Sequence, residues 1–408
     1  MKHLLSHYGR LVIRYPRIIG FGASHYLASS FGQSFLISLF VPYLLSSFSL
    51  DNQTFSYYYS AATLGGAFLL SVFGPFTDKM PIRSFSRING LALGGFCLVL
   101  ASAGNPWVML IALTGLRLSG QGLMPLAGAT AMGKFFHHNR GKALALASMG
   151  MSIGEIFAPA MIIASIALWG WQETWVIFAV LAGIAFPALC TFLIKPDEHI
   201  HATGKKSTRV GSGKLSRKAL LKDFTFLAPA LTVVFSPFVT TGVFIHQNLI
   251  LEAKGWEEGW FAATFIFFGT FRIISTLFTG PLIDKFTAVR LAPLAPIPLA
   301  IGIAVLFSGN DSWRLAVYLS LNGMSLSFGS LVGSALWAEI YGAQYLGTTK
   351  SLVSTIMVLA TAVSPVIFGV VFQNYYDMQK GFIGILLTAC TLSFLTFMAL
   401  RSKRFRFA

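Results

Sequence analysis

Five ionisable side chains lie inside otherwise apolar stretches: His25, Arg117, Glu155, Arg272 and, near the end of its stretch, His246. A guanidinium grips a carboxylate through two parallel hydrogen bonds, so Arg272 and Arg117 are candidate ligands for an organic anion. A carboxylate beside such a cation stays ionised until a proton or another anion competes for its partner. Glu155 is therefore the candidate proton-coupling group. His25 is a second candidate for proton transfer, set against the ordinary reading of a lone helical histidine as a hydrogen-bonded packing residue. Gln33, Tyr26, His246 and Gln247 are candidates for the wall of a binding cavity, whereas Tyr57, Tyr58 and Tyr59 suit an interfacial aromatic belt.

Spacing suggests which of these groups meet. Glu155 lies 14 residues after Gly141, about 21 Å along a helix, and Arg117 lies 15 residues before residue 132, about 22 Å. Equal depth on consecutive antiparallel helices predicts an Arg117–Glu155 ion pair, which either links substrate to proton or simply ties two helices together. Apart from Glu258 at its very start, Arg272 has no acidic residue within its own stretch, which leaves it to bind substrate, to snorkel or to pack.

The elements that hold these residues must cross a membrane. Hydrophobic residues make up 55% of the 408, charged residues only 11%, and mean hydropathy is +0.70. A water-soluble globule of this length needs more polar surface. Twelve apolar runs are long enough to cross a hydrocarbon layer of about 30 Å as helices: 18–45, 54–76, 84–103, 107–132, 141–168, 172–194, 223–250, 258–281, 288–308, 312–338, 344–372 and 381–400. Lys and Arg gather at the termini and in the even-numbered loops. Only Lys254, Arg314 and Lys380 fall in odd-numbered loops, which predicts cytoplasmic termini in a bacterial-type inner membrane. The formal charge of +16 is then a topology signal, and a nucleic-acid partner is not expected.

The chain also repeats itself. Gly74-Pro75-Phe76-Thr77-Asp78-Lys79 returns as Gly280-Pro281-Leu282-Ile283-Asp284-Lys285, and the Gly141 to Pro159 spacing returns as Gly347 to Pro365, each 206 residues later. An even number of spans per half makes the repeat parallel. The organisation predicted is a six-helix bundle over 1–194, a basic Gly/Ser-rich cytoplasmic linker over 195–222, and a second six-helix bundle over 223–408. The fold class is all-α membrane protein. Within the repeat, the buried charges are not duplicated: Arg117 matches Gly323, Arg272 matches Gly66, and Glu155 matches Thr361. Shared parts that move and unshared parts that bind would give this pattern.

Two parallel six-helix halves, each with a Gly-x-x-x-Asp-Lys loop after its second span, resemble the major facilitator superfamily. Arg117-x-x-Gly120-x-Gly122, Arg140-Gly141, the run Gly150, Gly154, Pro159, and Glu339-x-Tyr-Gly342 with Leu346-Gly347 and Pro365 are similar to its monocarboxylate-porter and oxalate–formate branch. The resemblance implies that Gly74, Asp78, Lys79 and Arg83, with Gly280, Asp284 and Lys285, form gate motifs that latch helix ends together. It also implies a substrate-binding arginine at Arg272. Pro81 and Thr287 stand where the family carries a later glycine, and the first span lacks the lysine of animal monocarboxylate carriers. Gly150 and Gly154 have the small-xxx-small spacing of helix packing, and Pro159 and Pro365 mark paired bends.

Other chemistries are not supported. Cys97, Cys190 and Cys390 have no metal or redox spacing; the His137-His138 and His199-x-His201 pairs lack companion ligands; and Gly211-Ser212-Gly213-Lys214 is not a P-loop. No metal, cofactor or enzyme activity is expected. The apolar run after Arg17 is too long for a signal-peptide core, so the first span is expected to stay. The function expected is a monomeric secondary transporter working by alternating access. Its substrate would be a small organic anion, a mono- or dicarboxylate, moved with protons or against an exchange anion. The alternatives are proton-driven efflux of an amphipathic drug or metabolite such as a siderophore, and a non-transporting membrane sensor.

Overall fold

The computed structural model describes residues 9–136, 140–194, 216–342, 345–372 and 375–402. The His137-His138 and His199-x-His201 pairs, the Gly211–Lys214 run and most of the basic linker lie outside these residues. Twelve spans result when the bent first pair counts as one. They are α1 (Pro16–Gly32 with Ser34–Phe48), α2 (Asn52–Lys79), α3 (Ile82–Ala101), α4 (Pro106–Phe135), α5 (Arg140–Trp169) and α6 (Trp171–Leu193). In the second half they are α7 (Phe224–Ile245), α8 (Gly259–Phe286), α9 (Ala288–Phe307), α10 (Trp313–Tyr341), α11 (Leu346–Val371) and α12 (Met378–Arg401). Helices are the solution because each satisfies its own backbone within lipid.

Residue choice sets the ends. Asn105 caps α4 by accepting from the amides of Trp107 and Val108, and Asp51 caps α2 by accepting from Thr54 at 2.6 Å. That bond holds the Asp51 carboxyl below the usual carboxylate range. Two predicted runs are broken rather than continuous. α1 bends by 44° at Gln33, which is extended (φ −85°, ψ 151°), and α7 stops at Ile245, with a separate short helix over Gln247–Lys254. Lys254 donates to the carbonyl of Gly309 and to Asn310, tying this short helix to the loop before α10; burial, with Arg314 nearby, holds its ammonium below the usual lysine range.

The chain divides into two compact units, residues 1–204 and 205–408. Inside each, the same neighbours pack: α1 on α5, α2 on α4 and α3 on α4 and α6 in the first, α7 on α11, α8 on α10 and α9 on α10 and α12 in the second. The repeat in the sequence is thus a repeat of packing. Small residues make the contacts close. In the first unit a side chain on Gly150 would strike the Ala23 carbonyl, and one on Gly154 would strike Ser30 Oγ, so both glycines seat α5 on α1. Gly347, the repeat counterpart of Gly141, faces open space, as Gly141 does. Pro159 and Pro365 are buried within helices that run on through them.

The second unit's core gathers Phe226, Val234, Leu336, Trp337 and Val353, with Phe226 and Trp337 ring centroids 5.0 Å apart. Outward, large apolar side chains such as Phe68, Phe192, Leu168 and Leu387 are exposed. A bilayer is the solvent that suits them.

Candidate functional site around Arg117

Arg117 opens a stretch of π-helix, Arg117–Leu123, in the middle of α4. The extra residue per turn and the two glycines within it let α1 come backbone to backbone with α4: a side chain on Gly32 would strike Leu116 and Gly120, and one on Gly120 would strike Gly32. The bend of α1 sits at this contact. Breaking the helix at Gln33 diverts the Leu36 amide to the Gln33 carbonyl, leaving the Gly32 carbonyl without its helical donor. Arg117 Nη1 supplies the missing donor at 3.2 Å.

The rest of the guanidinium is held by neutral oxygens. Nη1 also donates to Ser34 Oγ at 3.3 Å, and Nε donates to Thr63 Oγ1 of α2 at 3.2 Å. The Tyr59 ring lies 4.9 Å from the guanidinium carbon, and Tyr59 OH donates to Ser34 Oγ at 2.9 Å. Arg117 is only 3% exposed, yet among the described residues it makes no ion pair and its Nη2 has no hydrogen-bond partner. Among the described residues this buried positive charge has no counter-charge, an arrangement that costs free energy.

The Arg117–Glu155 ion pair expected from depth is not formed. Equal height along two helices does not fix the directions they face: the Arg117 guanidinium points to α1 and α2, while Glu155, 2% exposed, is buried on α5. Tyr59 is a second correction. It is fully buried against Arg117, not in an interfacial belt, although Tyr57 is exposed and Tyr58 meets Trp107 edge-on. Gln33 stands at the α1 break, half-buried, and Tyr26 lies against Gly128 of α4.

His25 is closed off by packing. Nδ1 donates to the Phe21 carbonyl and Nε2 meets Ser86 Oγ of α3, each at 2.7 Å, between the rings of Phe21 and Phe186. His246 Nε2 donates to the Pro365 carbonyl at 2.8 Å, joining the end of α7 to α11; Gln247 beside it is buried.

Arg272 of α8 is half-buried and occupies the mirror position in the second unit. In the first unit Arg117 of α4 lies against Gly66 of α2; at the equivalent crossing of α8 and α10, Gly323 of α10 lies against the backbone of Phe268 and Arg272. Arginine and glycine have changed sides of one conserved contact. The glycine partner leaves room for the arginine helix in each case.

The polar spine of α10 was not legible in the sequence. Asn322 accepts from Thr240 at 2.7 Å and donates to Tyr318 OH, Ser325 meets Ser236, and Ser327 meets Thr276, so α10 is hydrogen-bonded to α7 and α8. Serines spread along an apolar run carry no periodic signal.

The repeated Gly-x-x-x-Asp-Lys segments lie at helix ends. Asp78 and Asp284 are exposed, and neither makes a hydrogen bond to a described residue; Lys79 and Lys285 fold over Phe76 and Phe286. Gly74 is tight against the Leu70 carbonyl, whereas Gly280 meets nothing. Lys134 of α4 donates to the Thr77 carbonyl, and Arg83 donates to Thr191 of α6. In the second unit the anchor is different. Glu339 of α10 accepts from the amides of Ala288 and Val289 at 2.9 and 3.0 Å, just past Thr287, whose φ is +67°. A β-branched residue in that region is strained.

Comparison with known proteins agrees with this architecture. The family model described as Major Facilitator Superfamily matches residues 24–294. Among solved structures, the chain is similar to a bacterial homologue of the human lysosomal transporter Spinster. In that protein's inward-facing, unoccupied conformation the identity is 15% and the TM-score 0.66. In its inward-facing, occupied conformation they are 14% and 0.67. Each alignment covers 94% of this chain and 92% of that one. At this identity the likeness is one of fold. No curated protein matches the chain.

Proposed function

The chain belongs to the Major Facilitator Superfamily, and from that membership we propose a secondary transporter that moves a small organic anion by alternating access. The observation that carries the anion is Arg117: 3% exposed and, among the described residues, bonded only to neutral oxygens with one guanidinium nitrogen unsatisfied. Arg272, at the swapped position of the second unit, supplies a second guanidinium. A mono- or dicarboxylate satisfies such groups through paired charge-assisted hydrogen bonds. Glu155 is the proposed proton-coupling carboxylate, and exchange against a second anion is the other route. Asp78 and Asp284 are the proposed gate residues, the membrane is a cytoplasmic one with both termini inside, and the working unit is one chain.

The test is uptake of labelled lactate, formate and oxalate into proteoliposomes, with and without an inward proton gradient. Uptake that falls at least tenfold in Arg117→Lys and Arg272→Ala supports anion binding by both groups. Its dependence on the gradient separates symport from exchange.

A second reading, efflux of an amphipathic compound, draws on one feature. Helices α1, α5 and α6 border an apolar groove of about 730 Å³, in whose wall Ser30 Oγ is buried without a hydrogen-bond partner. Ethidium extrusion that ignores both arginine substitutions would favour this reading.

A further inference from the structure

We infer that the second unit holds the headgroup phosphate of an anionic phospholipid, in the cavity between the start of α9 and the end of α12. The cavity has a volume of about 690 Å³. Arg290 and Arg401 line its polar side, and Pro293, Phe397 and Leu400 line its apolar side. Arg290 is exposed and makes no hydrogen bond or ion pair to a described residue, while Arg401 lies over the Phe397 ring at 5.8 Å. One carboxylate, Glu339, also borders the space. Both its oxygens accept backbone amides, from Ala288 and Val289, so its charge is directed into the start of α9 and the two arginines set the sign of the cavity.

Position decides which phosphate fits. α9 begins at Ala288 and α12 ends at Arg401, so the guanidiniums stand where both spans leave the apolar layer. Phe397 lies one turn further in, about 6 Å along the helix, and is exposed. Cations at the water level above an apolar wall match a phosphodiester carrying acyl chains. A free phosphate would leave Phe397, Pro293 and Leu400 without an occupant.

The experiment uses the full-length protein in detergent, titrated with phosphatidylglycerol, with phosphatidylcholine or with inorganic phosphate, and read by native mass spectrometry and thermal unfolding. Phosphatidylglycerol is expected to be retained over phosphatidylcholine. Its apparent affinity is expected to fall about fivefold in Arg290→Gln and in Arg401→Gln, but not in Lys222→Gln, an exposed cation outside the cavity. Phe397→Ala leaves every charge in place and reads the acyl wall if a glutamine variant fails to fold; it is expected to weaken phosphatidylglycerol binding. Three results overturn the site: unchanged binding in the cavity variants, an equal loss in Lys222→Gln, or stabilisation by inorganic phosphate alone.

Discussion

Arg117 has two physical roles that a substitution can separate. It caps the Gly32 carbonyl freed by the α1 break, and it holds an unsatisfied nitrogen and a full charge in a buried place. Arg117→Lys keeps the charge but cannot reach Gly32, Ser34 and Thr63 together, because an ammonium is a point donor and a guanidinium a planar fork. Its expected effect is a loss of roughly 1–3 kcal/mol in stability from the carbonyl left bare, together with an anion affinity at least tenfold weaker. Thermal unfolding and uptake kinetics read the two effects separately; weakened stability with unchanged affinity would leave only the capping role. Thr287 is the simpler case. Its φ of +67° stores about 1–3 kcal/mol, and glycine relieves that at an entropic cost of about 0.5–1 kcal/mol. Thr287→Gly is therefore expected to raise the unfolding temperature by a few degrees. A lower temperature would show that the strain is already compensated. Glu339→Gln is expected to act in the opposite sense: an amide offers one acceptor where two backbone N–H groups now share a carboxylate, so unfolding should come earlier.

At the scale of the element, the contact between the α1 break and the π-helical stretch of α4 rests on Gly32 and Gly120. Gly120→Val places a branched side chain against the Gly32 backbone, and overpacking of this kind costs about 1–3 kcal/mol or more. The expected result is a less stable protein whose residual transport is impaired beyond what its folded fraction explains; wild-type rates per folded molecule would show that the close approach is dispensable. The sequence made the glycines visible but not their partners. Depth along α4 and α5 could be computed from residue counts, whereas the direction of Arg117 could not, because both helices are apolar nearly all round and periodicity has nothing to report. The π-helical turn compounds this by rotating every later side chain of α4. Tyr59 was hidden for a related reason. Three consecutive tyrosines point in three directions, and the middle of a helix buries only one of them.

Across the whole molecule, the offset of 206 residues held what was most legible. It appeared in the Gly-Pro-x-x-Asp-Lys repeats, and it reappears in the bounds of the spans and in the same neighbours packing within each unit. Span number and fold class followed from hydropathy and length, because a membrane allows few alternatives. What differs between the halves was legible only as a list of unmatched charges. The structure turns that list into geometry: one crossing of two helices, with arginine on α4 in the first unit and on α8 in the second. Two guanidiniums on non-equivalent helices of the two units break the symmetry of the repeat. Uptake of labelled oxalate, formate and lactate by reconstituted protein, compared among wild type, Arg117→Lys and Arg272→Ala, tests this most directly. Anion binding by the two arginines predicts saturable uptake of at least one carboxylate, with apparent affinity reduced tenfold or more in each variant. Carboxylate uptake at wild-type affinity in both variants, or no carboxylate uptake by folded wild-type protein, would contradict it.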